Sequence, residues 1–198
     1  MNPASPASVH PRAELARLVE SDRPLIVFVS HPWGGGVRRH MDDLAMLVAD
    51  RCDVLYLEPA AGDTIRLRLP GTATDFAAHF TLPGEQPALA ALLRTLGVAR
   101  LHFHHLHLLP RAILDLPAAI GVPYDCTLHD YYAICPQYHL NAIDGGYCGE
   151  PDVAGCTACL AVRPAQWGLD ITAWREACGA LLAGAARRIA PSHDVARR

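Results

Sequence analysis

Residues 25–29, Leu-Ile-Val-Phe-Val, form an unbroken apolar run rich in β-branched side chains, with Pro24 before it and a glycine cluster after it. Such a run fits a strand buried on both faces, as in a parallel sheet covered by helices. Over 37–50 the apolar positions Val37, Met41, Leu44, Ala45, Leu47 and Val48 recur close to helical spacing, which predicts a helix. Val54-Leu55-Tyr56-Leu57 reads as the next strand. Strand, glycine turn, helix, strand is the opening of a Rossmann-like α/β fold.

Over 64–82 a looser alternation (Ile65, Leu67, Leu69, then Phe76 and Phe80) predicts two short strands joined at Pro70-Gly71. A helix over 87–96 stopped by Gly97, a strand over 101–106, a helix over 110–120 stopped by Gly121 and a strand over 124–128 follow. After His129-Asp130 the pattern breaks. Residues 131–163, rich in Cys, Gly, Pro and Tyr, predict a long irregular insertion, and a loop of that length is usually functional or tied down. A helix over 171–183 and a short strand over 188–190 restore regularity, and Ser192 is placed to N-cap a last helix. Only six residues follow Ser192, too few for a self-standing helix, so the chain reads as cut short there. The expected division is a leader and short helix over 1–23 and one α/β domain over 24–198. Residues 1–9 lack the basic patch and apolar run of a secretory signal, and no stretch approaches the ~20 apolar residues of a membrane span. The expected compartment is the cytoplasm, with peripheral contact at a membrane's inner face left open.

Composition narrows the chemistry. The chain has 198 residues, 17 basic against 20 acidic, and every basic one is arginine. Without lysine there is no Schiff-base chemistry, no phosphate-binding loop of the G-x-x-x-x-G-K-[ST] kind and no kinase-type ATP lysine. A net charge of -3 gives no basic stripe for nucleic acid. The seven cysteines are odd in number, and without an export signal they read as reduced thiols or metal ligands.

Four motifs carry candidate chemistry. His31-Pro32-Trp33-Gly34-Gly35-Gly36-Val37-Arg38-Arg39-His40 joins the first strand to the first helix. Its glycines let backbone approach a ligand, and the helix start offers unpaired N–H groups to an anion; the alternative is a mere tight turn. It is not the G-x-G-x-x-G fingerprint, since Arg39 stands where the third glycine belongs. In His102-Phe103-His104-His105-Leu106-His107, alternation places His102 and His104 on one face and His105 and His107 on the other. An H-x-H pair can hold a metal, or the rings can simply pack at the sheet end. His129-Asp130 closes a probable parallel strand, where open α/β sheets bind ligands. The histidine could serve a substrate hydroxyl or phosphate with Asp130 orienting it, or the two could form a structural pair. Cys135, Cys148, Cys156 and Cys159 have the spacing C-x12-C-x7-C-x2-C, enough for a closed structural Zn²⁺ site or, alternatively, plain thiols or a disulfide. Cys52, Cys126 and Cys178 read as small buried hydrophobes.

Taken in order, Ser30-His31 through Gly34-Gly35-Gly36 and His40, Leu101 to His105, Thr127-Leu128-His129-Asp130-Tyr131-Tyr132 through Cys135-Pro136, Tyr147-Cys148-Gly149, Cys156 to Leu160, and Ile189 to Ser192 resemble the N-terminal half of a family-4 retaining glycosyltransferase of two-domain GT-B fold. The likeness is to the subgroup with a cysteine-containing insertion. The resemblance implies sugar transfer from a nucleotide-diphosphate sugar to an acceptor hydroxyl on a lipid, saccharide or small molecule. No cofactor is required for that chemistry. Gly34, Gly35 and Gly36 inherit contact with the donor diphosphate and acceptor, His129 contact with the donor sugar, Asp130 a neighbouring role, and His104 a place in the substrate site. Ser192 marks the passage toward a C-terminal domain that would hold most of the nucleotide, so this chain alone is expected not to turn over. At Arg38 that family usually carries an acidic residue. Two rivals stand beside it. One is a metal-stabilised α/β binding module, the other a metal-dependent hydrolase built on His102, His104 and His129.

Overall fold

A computed structural model describes residues 11–71 and 77–198. In chain order the elements are α1 (Pro11–Glu20), β1 (Leu25–Val29), α2 (Gly36–Leu47), β2 (Asp53–Pro59), β3 (Thr64–Arg68), β4 (Ala77–Thr81), α3 (Gln86–Thr95) and β5 (Val98–Phe103). There follow α4 (Leu116–Ile120), β6 (Tyr124–Thr127), α5 (Val153–Val162), α6 (Ile171–Gly184), β7 (Arg187–Ile189) and α7 (His193–Arg197). The leader expected at 1–9, and Phe76, lie outside the described residues.

The seven strands form one sheet in the order β4-β3-β2-β1-β5-β6-β7. β1 pairs in parallel with both β2 and β5, and β5, β6 and β7 continue in parallel. The sheet is mixed rather than purely parallel, because β3 runs antiparallel to β2 and β4 antiparallel to β3. The reason is length. Four residues between Pro59 and Thr64 suffice for a hairpin, whereas a parallel return needs a crossover of a dozen or more.

The continuous apolar run does fill both faces. Leu25, Val27 and Val29 join the larger core with Leu89, Leu93, Ile113, Leu116, Trp174 and Cys178, while Phe28 joins a smaller one with Met41, Ala45, Val54 and Tyr56. Thus α2 covers one face, and α3, α4 and α6 cover the other. Cys126 and Cys178 are buried as expected; Cys52 is only half-buried, just before β2.

Three local readings needed correction. The helix over 110–120 is a 3₁₀ turn (Arg111–Asp115) followed by α4, because Pro117 lacks an N–H and suits a helix start, not an interior. β5 ends at Phe103, so His104 to His107 lie beyond the sheet. The amides of His104 and His105 both reach the Val29 carbonyl, at 2.8 and 3.3 Å, which makes that the last rung. Within the segment expected to be irregular, Val153–Val162 forms α5, N-capped by Asp152, whose side chain accepts from the Gly155 amide. Its sequence is apolar all round and offers no periodic stripe. No helix among the described residues is long and apolar enough to cross a membrane.

Candidate functional site

The chain leaves β1 on one side through β2, β3 and β4, then returns through α3 to place β5 on the other side of β1. The order therefore reverses between β1 and β5, and open α/β sheets bind ligands in the crevice beyond the carboxyl ends of such strands. His31, at the end of β1, and His104 to His107, after β5, meet there. His129 and Asp130, after β6, join them.

His102 and His104 do share a face, their ring centroids 4.0 Å apart, above the Phe28 ring. The two are used differently. His102 Nε2 lies 2.8 Å from Thr127 Oγ1, which engages it within the sheet. His104 Nδ1 lies 3.2 Å from His129 Nε2, and His40, at the start of the second turn of α2, packs against both rings at 5.5 and 4.9 Å. His104 is 2% exposed, and its Nε2 has no protein partner. The trio assembled in space is thus His40, His104 and His129, with His102 set aside.

On the other face the His107 amide donates to His105 Nδ1 at 3.0 Å. An acceptor Nδ1 leaves the proton of neutral His105 on Nε2, which donates to Asp130 Oδ2 at 3.1 Å. Asp130 Oδ1 accepts from the Tyr132 amide at 2.9 Å. The hydrogen bonds of Asp130 therefore go to His105 and Tyr132, and His129 is not oriented by its neighbour as the sequence suggested. Burial alone would raise the Asp130 carboxyl, but the His105 bond and the Tyr132 amide hold it below its ordinary range. Burial is also the main reason four imidazoles of the cluster stay neutral. It pushes His31, His102 and His129 down to about 4, with neighbouring histidines adding to the effect on His31 and His129, and it drives His104 well below its usual value.

The glycine loop is anchored at both ends by this cluster. His31 packs on His105 at 4.9 Å and Trp33 on His107 at 4.8 Å, while His40 closes the far side. Gly34, Gly35 and Gly36 are exposed, and a Cβ at any of them would meet nothing within 4 Å. Gly35 has φ +97°, which requires glycine. No side chain caps α2 and no acid lies in its first turn, so its leading amides face the crevice side without a protein anion. Arg38, beside the glycines, is engaged within the protein. Its Nε donates to both Asp42 oxygens at 2.9 and 2.8 Å, and an Nη reaches the buried Glu58 at 3.4 Å.

Of the other expected residues, Ser192 stands apart: its Oγ accepts from the Val195 amide at 3.2 Å as the cap of α7. The four cysteines are half-buried and form no disulfide. Burial pushes the Cys135 thiol up, and Cys148, Cys156 and Cys159 are near enough to add to the shift. Their sulfurs do not meet at ligand distance; among the described residues only His40, His104 and His129 do. Arg163 donates to Cys159 Sγ at 3.0 Å. The site also rests on a residue that sequence reasoning missed. Gln166 accepts from the Leu108 amide and the Tyr132 hydroxyl and donates to the Leu106 and Leu109 carbonyls, binding the loop after β5 to the segment after β6. No periodicity or motif marks it. His40 and His31, by contrast, flank the glycines in sequence, and that bracketing was a usable signal.

Comparison with protein-family models, with curated proteins and with solved structures finds no match.

Proposed function

We propose that this chain is the acceptor-side domain of a retaining GT-B glycosyltransferase, moving a sugar from a nucleotide-diphosphate donor to an acceptor hydroxyl. The observation that carries the proposal is the convergence at one switch point of an uncapped helix start, an open glycine loop and a neutral histidine next to a carboxylate. A diphosphate is stabilised by unpartnered amides at a helix N-terminus. An anomeric carbon gains positive charge as its leaving group departs, and a neutral His129 can hydrogen-bond a sugar hydroxyl without opposing that charge. Asp130 adds negative charge at the same edge. The cavity beneath His104, His105 and His129, about 50 Å³, has room for water and not for a sugar, so the substrates belong in the open crevice above it.

The donor nucleotide would be held mainly by a second Rossmann-like domain. The cysteine set enters the proposal as a structural Zn²⁺ site: Cys156 and Cys159 lie one turn apart on α5, and ligation would draw Cys135 and Cys148 onto them. The test is release of nucleotide diphosphate from a panel of nucleotide-diphosphate sugars by the product of the whole reading frame. His129→Ala is expected to lower kcat by about 10²-fold, and the 198 residues alone are expected to show no turnover. Undiminished release by His129→Ala, or transfer by this chain alone, would sink the reading.

A further inference from the structure

We propose that His40, His104 and His129 form a binding site for a divalent transition-metal ion of the zinc class, with three imidazole nitrogens as ligands. The inference goes beyond the glycosyl-transfer reading and does not depend on it.

Three separate parts of the fold deliver these rings: the second turn of α2, the segment just after β5 and the segment just after β6. One ring nitrogen from each lies within 4.8 Å of the other two. In a tetrahedral site with Zn–N bonds of about 2.05 Å, two ligand nitrogens stand roughly 3.3 Å apart. His104 Nδ1 and His129 Nε2 are already 3.2 Å apart. A hydrogen bond between two imidazoles would give the same separation. It would not need a third imidazole from another element drawn to the same point, and His40 is that third ring.

The two inner ligands are held in advance. The His104 amide is fixed on the Val29 carbonyl at 2.8 Å, and its ring lies against Phe28 and His102. The Leu128 amide, next to His129, is fixed on the Ile189 carbonyl at 2.8 Å. His40 is exposed and closes the site from the solvent side, so an ion can enter and a modest rotation of His40 completes the set. The donor set names the class of ion. Imidazoles suit zinc, copper, nickel and cobalt, whereas magnesium and calcium take oxygen ligands. The carboxylate next in sequence, Asp130, is engaged with His105 and the Tyr132 amide. Three histidines leave a fourth position for water or a substrate oxygen.

The experiment is a Zn²⁺ titration against a competing chelator, repeated with Co²⁺ to read the ligands from the visible and near-ultraviolet spectrum. The proteins are the wild type, His40→Ala, His129→Asn and, as control, His79→Ala, an exposed histidine on β4. His40→Ala removes an exposed side chain, so its circular dichroism should match the wild type. The expected result is one equivalent whose affinity falls at least about 100-fold in His40→Ala and in His129→Asn, and is unchanged in His79→Ala. Co²⁺ in that equivalent should lack a sulfur-to-cobalt charge-transfer band, which separates it from any ion held by the cysteines. Wild-type affinity in His40→Ala, an equal loss in His79→Ala, or a thiolate band on the affected equivalent would overturn the assignment.

Discussion

Glu58, at the end of β2, is wholly buried and accepts hydrogen bonds from Arg38, Arg66 and Arg68. Burial opposes its charge, but Arg68 and Arg66 more than offset this and hold the carboxyl below its ordinary value. Glu58→Gln leaves three guanidinium groups around a neutral amide. The expected loss is about 3 kcal/mol in urea unfolding at pH 7, and a loss under 1 kcal/mol would refute the pairing. His31 is buried with the opposite consequence. It is neutral when folded, titrating near 4 against an ordinary 6.5, and its Nδ1 has no partner. Its contribution is complete above the unfolded value and is lost as pH falls from 6.5 toward 4, because the unfolded chain takes up the proton first. Between pH 7 and pH 5 the wild type should lose on the order of 1–2 kcal/mol that His31→Phe, which keeps a ring of similar size, does not lose. Identical pH profiles for the two would contradict the assignment.

The elements show which parts of the fold a pattern can reveal. β1 was legible to the residue, since Leu25 to Val29 is buried on both faces and flanked by breakers. The glycine stops at Gly97 and Gly121 were legible too, and both have positive φ, +69° and +81°. The end of β5 was not, because the histidines that follow Phe103 continue the strand-like alternation while their amides share one carbonyl. Helix α5 was invisible for the reverse reason, being apolar on every side. The site was legible in pieces: the glycine loop, His104, His129 and Asp130 converge, but the pairing of Asp130 with His105 depends on a turn that spacing does not encode. The loop allows a comparison within one element. Gly35→Ala must adopt φ +97° and should cost about 1–3 kcal/mol. Gly34→Ala, with a negative or extended φ and open space around it, should leave stability unchanged. Thermal unfolding of the pair separates backbone strain from mere crowding, and equal midpoints would refute the strain.

At the scale of the whole molecule, a mixed seven-stranded sheet reverses its order between β1 and β5, and that reversal brings together residues as far apart as His31, His104 and His129. No single motif carries the site; the topology assembles it. The lack of lysine leaves arginine as the chain's only permanent side-chain cation. The most direct measurement is the anomeric configuration of the product formed by the full reading frame, read by proton NMR from the coupling at the transferred sugar's anomeric carbon. The expected product has the same configuration as the nucleotide-sugar donor and forms about 10²-fold more slowly with His129→Ala; an inverted product, or none from any donor in the panel, would contradict the account.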